Sequence, residues 1–362
     1  MATAASTRAA HRAGTFGEPD PQPSPGHRRR RTISPVAWEV AMSGINSAIT
    51  TSRARLHLVT AVAARKDAGS SPTGIVGRSL ARQLLDGGDR VRVLAERGQL
   101  SGWPAGAEVV EGSITRPLER AEVFAGVDNV FLAGAVPATV QDALRVVQRA
   151  GAGRVVVLSS HGPEYEQDYP PETWFWLAVE RAVERSGLEW THLRPSAVMG
   201  AVIEGTYPAT GSDWPDTVRE GRVVREAFLN DGHYPFIHED DLAAVAAAAM
   251  RTDGYVGTVL EAVGLPISTR SRVAGIAKAI GCDIDGIELT PDDSRASWRR
   301  RGWPDSGIDV TLYALREYGV RLAELTRWTL DQRPAVHEII GRPPRRFDDW
   351  AVEHAHLFGP AR

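Results

Sequence analysis

Short apolar runs alternate with amphipathic stretches along most of this chain, and the alternation predicts strands and helices in turn. The first unit begins with the apolar run Leu56–Thr60. A helix then opens at Thr73–Arg78, and its apolar positions recur at the three- and four-residue spacing of one helix face. A glycine pair ends this helix before a second strand, Val91–Leu94. Together these segments predict one βαβ unit.

The same alternation continues to about residue 250. The predicted strands are Glu108–Glu111, Asn129–Ala133, Arg154–Ser159 and Trp190–Arg194, and the predicted helices are Pro117–Ala125, Val140–Ala150, Thr173–Ser186 and Leu242–Met250. Strands that alternate with helices form a parallel sheet covered by helices on both faces. We therefore predict an α/β, doubly wound, Rossmann-type sheet. Its ligands should bind beyond the carboxyl ends of the strands.

The turn between the first strand and the first helix has the glycines of a nucleotide site. Gly74 and Gly77 lie where a backbone can approach a pyrophosphate at a helix N-terminus. Residues 61–72 lengthen this turn, so Gly69 or Ser71 must serve as the first glycine. A G-x-x-G motif alone is weak, but the surrounding βαβ unit favours nucleotide binding over a structural turn. The other cofactor-binding candidates here are Thr60, Ile75 and Val76.

Composition divides the chain into three parts. Residues 1–54 are rich in Pro, Ser, Gly and Arg and have no apolar face, which predicts a disordered tail. The alternative is that the start codon is misassigned and that Met42 is the true first residue. Residues 55–253 form the predicted nucleotide-binding Rossmann domain. Residues 254–362 form a predicted smaller, α-rich lobe that binds the substrate with help from residues 199–231.

Charge and cysteine content limit the partners and the compartment. The whole chain has a net charge of −3, and the tail carries seven arginines against three acidic residues. The rest of the chain is therefore acidic, which argues against a nucleic-acid partner. A single cysteine, Cys282, is typical of a reducing compartment. The sequence shows no long apolar segment of the kind that anchors a protein in a membrane. We expect a cytoplasmic monomer or homodimer acting on a small molecule.

Seven short motifs occur in an order typical of one family. They are Val59–Thr60, Thr73–Arg78, Gly126–Asp128, Arg154–Ser160, Ser186–Pro195, Pro235–Ala243 and Gly341–Pro344. With them, the chain from about residue 56 to residue 358 resembles the NmrA-like branch of the atypical short-chain dehydrogenase/reductases. The resemblance implies a Rossmann fold, an NAD(P) cofactor and reduction of quinones or small aromatic or natural-product substrates, typical of secondary metabolism. The family also contains redox-sensing regulators without turnover and enzymes of other chemistry.

The acid pair of the catalytic short-chain dehydrogenases is missing from the whole chain. Its only lysines are Lys66 and Lys278, so no Tyr-x-x-x-Lys motif exists. Alignment on Glu180 places Trp176 at the lysine position of the family and Glu172 at its tyrosine position. An indole can neither lower the pKa of a tyrosine nor bind ribose hydroxyls as an ammonium group does.

Another proton donor must therefore be sought in the segment after the fifth strand. His161 is the first candidate because imidazole titrates near neutral pH, and Tyr165 and Tyr169 are the next. The alternative is a structural loop histidine. Ser159 is predicted either to face the cofactor or to satisfy backbone groups at the end of the strand.

Two further sets of residues are site candidates. Trp176, Pro195 and Ser196 are predicted to line the substrate pocket, although core packing is the simpler interpretation of the aromatic cluster around Trp176. His238–Asp241 contains four potential metal ligands, but four consecutive residues cannot converge on one ion, so no metal is predicted. Capping of the following helix by Asp240 or Asp241 explains them better.

The sequence leaves open which dinucleotide the protein binds and which type of reaction it catalyses. Glu96, at the end of the second strand, would bind a ribose 2′-hydroxyl, whereas Arg97 would bind a 2′-phosphate. The resemblance favours NADPH over NADH. Ser113, where relatives often carry an Asp, and the lengthened turn leave open a protein without bound nucleotide. The first hypothesis is an NAD(P)H-dependent reductase; the alternatives are a non-redox cyclase or isomerase, and a nucleotide-sensing regulator.

Overall fold

A parallel sheet of seven strands organises the chain. The computed structural model describes residues 53–63, 73–202, 211 and 213–359, so the predicted tail lies almost entirely outside the described residues. The sheet strands are Leu56–Ala61 (β1), Arg90–Ala95 (β2), Glu108–Glu111 (β3), Asn129–Ala133 (β4), Arg154–Leu158 (β5), Glu189–Pro195 (β6) and Thr258–Ala262 (β10). Their order is β10-β6-β5-β4-β1-β2-β3, and every neighbouring pair is parallel. The predicted doubly wound Rossmann-type sheet is confirmed.

Eleven α-helices are described. They are Gly74–Asp86 (α1), Val140–Arg149 (α2), Trp176–Glu184 (α3), Trp214–Gly221 (α4), Glu239–Arg251 (α5), Thr269–Ile280 (α6), Pro291–Arg300 (α7), Asp305–Val320 (α8), Leu322–Asp331 (α9), Val336–Ile340 (α10) and Phe347–Glu353 (α11). Helices α1 and α5 pack on one face of the sheet, and α2 and α3 on the other. The predicted apolar face of α1, Val76, Leu80 and Leu84, is buried in the first of these layers.

Three predicted helices differ from the structure for local reasons. Pro117–Phe124 is a 3₁₀ segment with a kink at Arg120. Helix α3 begins at Trp176 instead of Thr173, because a short 3₁₀ turn, Pro171–Thr173, precedes it. Helix α5 begins at Glu239, and its N-cap is His238, whose Nδ1 accepts a hydrogen bond from the Asp240 amide at 3.1 Å. The predicted capping by Asp240 or Asp241 is therefore wrong.

The remaining strands belong to a smaller lobe. They are Ala197–Val198 (β7), Val223–Ala227 (β8), His233–Ile237 (β9), Pro266–Ser268 (β11) and Asp285–Leu289 (β12). β7, β9 and β11 form one small sheet, and β8 pairs with β12. Their core includes Trp214, Phe236 and Trp350. Since β10 joins the large sheet beside β6, the Rossmann sheet extends past the predicted boundary at residue 253.

Two aspartates at the start of α5 join α1 to the C-terminal segment. The carboxylate of Asp240 accepts hydrogen bonds from the Ser79 hydroxyl and from the guanidinium groups of Arg82, at 2.7 Å, and Arg345. The buried carboxylate of Asp241 binds the Arg345 amide and the Arg342 guanidinium, each at 2.6 Å. This network fixes the Gly341–Pro344 motif against the Rossmann domain.

We expect Asp240→Asn to destabilise the protein by roughly 2 kcal/mol at neutral pH. Burial alone would raise the pKa of Asp240, but hydrogen bonds from Ser79 and Arg345 and the charge of Arg82 lower that pKa to about 2. A carboxyl with a lowered pKa in the folded state stabilises the fold above its ordinary pKa of 3.8, and that stabilisation is lost as the pH falls toward 2.

Urea unfolding at several pH values measures this effect. The difference in unfolding free energy between the wild type and Asp240→Asn should be largest at pH 6 to 7 and should shrink steadily below about pH 4. Asp283→Asn, at an exposed position, is the control and should change stability little. A difference that is independent of pH would show that the Asp240 charge contributes nothing.

Candidate active site

The end of β1 and the start of α1 meet at Thr73. The Thr73 amide donates to the Val62 carbonyl at 3.2 Å, and the Val62 amide donates to the Thr73 hydroxyl at 3.0 Å. Residues 64–72, which contain Gly69 and Ser71, lie outside the described residues. Thr73 makes no capping hydrogen bond to α1, and the first turn of α1 has no acidic residue. Neither a capping side chain of Thr73 nor an acidic residue in the first turn therefore neutralises the positive end of this helix, and an anion site needs that end unneutralised.

Both glycines of the predicted phosphate site lie in close surroundings. A Cβ atom at Gly77 would lie 3.0 Å from the Trp103 ring and 3.3 Å from Val59 of β1, so this glycine permits close packing of helix on strand. A Cβ atom at Gly74 would collide with the side chain of Gln99, whose Oε1 accepts a hydrogen bond from Arg78 at 3.1 Å. The start of α1 thus offers its backbone to a ligand, with Gln99 and Arg78 beside it.

The acidic and basic residues at the end of β2 have different environments. Glu96 accepts a hydrogen bond from the Ala63 amide at 2.8 Å and another from the Ser113 hydroxyl at 2.5 Å. Arg97 donates to Glu111 at 3.1 Å but is 88% exposed. Glu96 is therefore held in place by the protein, whereas Arg97 has room to reorient toward a ligand.

His161 lies at the carboxyl edge of three adjacent strands, β5, β6 and β10. Its amide donates to the carbonyl of Pro195 at 3.1 Å, and its Nδ1 lies 3.4 Å from Oε2 of Glu261. The ring of Trp328 in α9 packs against the imidazole with ring centroids 4.8 Å apart. Nε2 forms no hydrogen bond with any residue that the structure describes, and the side chain is 23% exposed.

Arg194 at the end of β6 binds three carboxylates around this histidine. Its guanidinium contacts Glu180 at 2.7 Å, Glu164 at 2.8 Å and Glu261 at 3.3 Å. Burial alone would lower the pKa of Arg194, but these carboxylates outweigh burial and raise it. Burial alone would likewise raise the pKa of Glu180, but hydrogen bonds from Arg194 and the Ser159 hydroxyl lower it. Both groups are therefore charged at neutral pH.

Sequence comparison shows the family. A family profile described as NAD(P)H-binding matches residues 72–252. The chain belongs to this NAD(P)H-binding family. It is 31% identical over 292 residues, 80% of this chain and 97% of the relative, to (4-alkanoyl-5-oxo-2,5-dihydrofuran-3-yl)methyl phosphate reductase of Streptomyces griseus. It is also 26% identical over 300 residues, 80% of this chain and 98% of the relative, to NAD(P)H azoreductase of Xenophilus azovorans.

Solved structures agree with this membership at the level of the fold. Triphenylmethane reductase of Citrobacter sp., complexed with NADP(H), superposes with a TM-score of 0.59 at 14% identity and covers 83% of this chain and 99% of its own. Nmra, a negative transcriptional regulator, superposes with a TM-score of 0.55 at 13% identity, so the predicted resemblance to the NmrA-like group holds at the level of the fold. The reductase names of both sequence relatives agree with the prediction of an NAD(P)H-dependent oxidoreductase.

For an NAD(P)H-binding protein, the described residues fit a dinucleotide along the start of α1. β1 lies between β2 and β4, so the chain reverses direction across the sheet at this strand, where Rossmann folds bind nucleotides. Ile75 is partly buried and Val76 is 2% exposed, so Val76 can offer only its backbone. The Thr60 side chain is not available to a cofactor. It is fully buried, and its hydroxyl exchanges hydrogen bonds with the Ala133 backbone at 2.8 Å.

Other predicted site side chains are engaged elsewhere. The Ser159 hydroxyl donates to Glu180 at 2.6 Å and is buried, so it faces neither a cofactor nor the strand-end backbone. The buried Ser196 accepts a hydrogen bond from the Gly264 amide at 3.1 Å, which removes it from the predicted pocket. The partly buried Trp176 ring packs edge-on against Phe175 at 4.9 Å. Pro195 contributes its carbonyl to His161.

The tyrosine candidates also separate in the structure. Tyr165 and Tyr169 are 65% and 66% exposed, and neither hydroxyl bonds to a described residue. Tyr318 in α8 was not predicted. Burial, together with the charges of Tyr165 and Glu261, raises the pKa of Tyr318 to about 12, so its phenol stays protonated. Glu261 and Trp328 were also missed, although Glu261 is the single charged residue of the apolar run Val259–Val263.

Two negative findings concern only the described part of the chain. No group of three or more His, Cys, Asp or Glu side chains there is arranged to hold a metal ion. Within the same residues, no helix combines the length and apolar character needed to cross a membrane.

Proposed function

We propose that the protein is an NAD(P)H-dependent reductase of a small carbonyl, quinone or related electron-poor compound, with His161 as the proton donor. The observation that carries this proposal is the placement of His161 at the carboxyl edge of the sheet, with Nδ1 toward Glu261 and Nε2 without a described partner. A bound NAD(P)H would supply the hydride. The reductase chemistry named for both sequence relatives supports the proposal.

The residues at the start of α1 would bind the cofactor. Backbone N–H groups from Gly74 to Val76 would face the pyrophosphate at the positive end of the helix, whereas the Gly77 amide already donates to the Thr73 carbonyl at 3.0 Å. We propose NADPH over NADH. The exposed Arg97 can turn toward a 2′-phosphate, while Glu96 is already bound by the Ala63 amide and the Ser113 hydroxyl.

The other end of the site would bind and protonate the substrate. Trp328 and Tyr318 place aromatic groups next to His161 and Glu261, which suits a flat or unsaturated compound. His161 would deliver a proton from Nε2 to the substrate oxygen as that atom gains negative charge. The protonated phenol of Tyr318 is the second candidate donor, ahead of the exposed Tyr165 and Tyr169.

Fluorescence titration followed by a turnover assay tests the proposal. NADPH and NADH are titrated first, and then consumption of the preferred cofactor is followed with quinones, azo dyes and small unsaturated carbonyl compounds. Tighter binding of NADPH with turnover of at least one acceptor supports the reductase. Binding without turnover would favour a nucleotide sensor. Absence of binding would favour a cyclase or isomerase that uses the same pocket without a hydride.

Gly74→Val should raise the dissociation constant for the dinucleotide by roughly tenfold or more, with little change in melting temperature. The added side chain would block the approach of the pyrophosphate to the backbone. Within the protein it meets mainly the end of the flexible Gln99 side chain, which can move aside. Gly254→Val is the matched control because no atom lies within 4 Å of a Cβ at that position. Unchanged affinity in Gly74→Val would place the cofactor elsewhere.

A further inference from the structure

Glu261 is a nearly buried carboxylate in an otherwise apolar stretch of strand β10, and it lies next to His161. It lies in β10 within an apolar run, its side chain is only 11% exposed, and its Oε2 lies 3.4 Å from Nδ1 of His161. We propose that Glu261 is the positioning residue for His161: it keeps a proton on Nδ1 and aims Nε2 at the substrate. This inference rests on the proposed function, because positioning the imidazole serves catalysis only if His161 is the proton donor.

Three elements hold His161, one through its backbone and two through its ring. The Pro195 carbonyl at the end of β6 binds its amide, Glu261 in β10 faces Nδ1, and Trp328 in α9 covers a ring face. The Nε2 side is the direction in which the described residues offer no hydrogen-bond partner. An imidazole held in this way loses little freedom on reaching the reactive geometry, which is the usual purpose of a supporting shell.

Glu261 is itself fixed by Arg194. The guanidinium lies 3.3 Å from Oε1, so the two carboxylate oxygens face different partners, Arg194 and His161. Rotation of the carboxylate would break both contacts. Arg194 in turn forms a two-point hydrogen bond with the buried Glu180, at 2.7 and 2.9 Å, which anchors it to α3.

Neutralising Arg194 does not account for Glu261. Glu180 and Glu164 already bind that guanidinium, at 2.7 and 2.8 Å, so one positive charge has two closer counterions. A third, nearly buried carboxylate costs free energy unless it has another partner. The imidazole of His161 is that partner.

The proposed proton donor is the imidazolium form of the His161 ring, which carries one proton on Nδ1 toward Glu261 and one on Nε2. As a hydride adds to the substrate carbon, the C=O π electron pair moves to oxygen, and that oxygen takes the Nε2 proton. A bound NAD(P)H would supply the hydride and would be oxidised as the substrate is reduced. The neutral ring keeps its Nδ1 proton toward Glu261 and regains the other from solvent.

Nuclear magnetic resonance of ¹⁵N-labelled histidine rings tests the positioning without turnover. At alkaline pH, where the ring is neutral, the His161 signals, assigned by their loss in His161→Phe, should show the Nδ1–H tautomer. In Glu261→Gln the amide can donate or accept, so the tautomer preference should disappear. Glu164→Gln is the control: it removes another carboxylate from Arg194 without contacting His161 and should leave the tautomer unchanged.

Kinetics provide a second measurement. Glu261→Gln should lower kcat by about 10²-fold with KM and dinucleotide affinity nearly unchanged, and Glu261→Asp should recover part of the loss. An Nε2–H tautomer in the wild type, or an unchanged tautomer in Glu261→Gln, would overturn the inference. Failure of the proposed function is a separate result: the wild type would reduce none of the acceptors, whatever the tautomer.

Discussion

Replacing His161 by phenylalanine should lower kcat by roughly 10²- to 10⁴-fold while leaving dinucleotide affinity nearly unchanged. General acid catalysis contributes this range when the acid is held in reach of the reacting atom. The sequence has no Tyr-x-x-x-Lys motif, and Trp176 stands at the lysine position of the acid pair, so the usual activation of a tyrosine by that lysine is missing. The loss should appear in kcat because the proton is transferred in the transition state.

Phenylalanine is the suitable substitution because it preserves packing. In the wild type the ring centroids of His161 and Trp328 are 4.8 Å apart. A phenyl ring can lie against Trp328 in the same way, so the site should keep its shape. Tyr169→Phe is the comparison variant, since that side chain is 66% exposed and its hydroxyl has no described partner. Full turnover in His161→Phe would eliminate the histidine and move attention to Tyr318 and Tyr165. If those variants were also active, the protein would act by positioning donor and acceptor alone.

The sheet was predictable from the sequence because periodicity reports burial directly. β4 matches its predicted limits, Asn129–Ala133, and the first strands and helices differ only by a residue or a few at their ends. None of the strands of the smaller lobe, β7, β8, β9, β11 and β12, was predicted. β7 and β11 have only two and three residues, too few for a pattern to emerge.

The site was less predictable because it depends on contacts between distant segments. Thr60, Ser159 and Ser196 lie at strand ends, as predicted, but their hydroxyl groups bind groups inside the protein. Glu261 and Trp328 could be assigned only once β10 was known to pair with β6 and α9 to lie over His161. Local sequence carries no information about such pairings.

A buried ion pair in the smaller lobe leads to the largest expected change in stability. Arg272 is fully buried, and its guanidinium lies 4.5 Å from the ring centroids of both Trp214 and Phe236. Glu226 is buried beside it. Burial lowers the pKa of Arg272 to about 9 despite Glu226, and burial with the charge of Asp213 raises the pKa of Glu226 to about 8 despite Arg272.

Arg272→Met should therefore destabilise the protein above about pH 8, where Glu226 is ionised in the wild type and would be left buried without its counterion; breaking a buried ion pair in this way costs about 3 to 5 kcal/mol. A carboxyl with a raised pKa in the folded state stabilises the fold fully below its ordinary pKa of 4.5, and that stabilisation is lost as the pH rises through about 8. Without Arg272, the pKa of Glu226 should rise further. The gap between wild type and variant should thus be small near pH 5 and widen as the pH increases.

Urea unfolding of the variants at pH 5 and pH 9.5 separates charge from packing. The double variant Arg272→Met, Glu226→Gln should recover much of the stability lost at pH 9.5, since no uncompensated charge remains between Trp214 and Phe236. Glu226→Gln alone should also be destabilising, because it leaves the guanidinium without its carboxylate, although two aromatic faces still contact that cation. Equal losses at both pH values, with no recovery in the double variant, would mean that Arg272 stabilises the lobe by its packing alone.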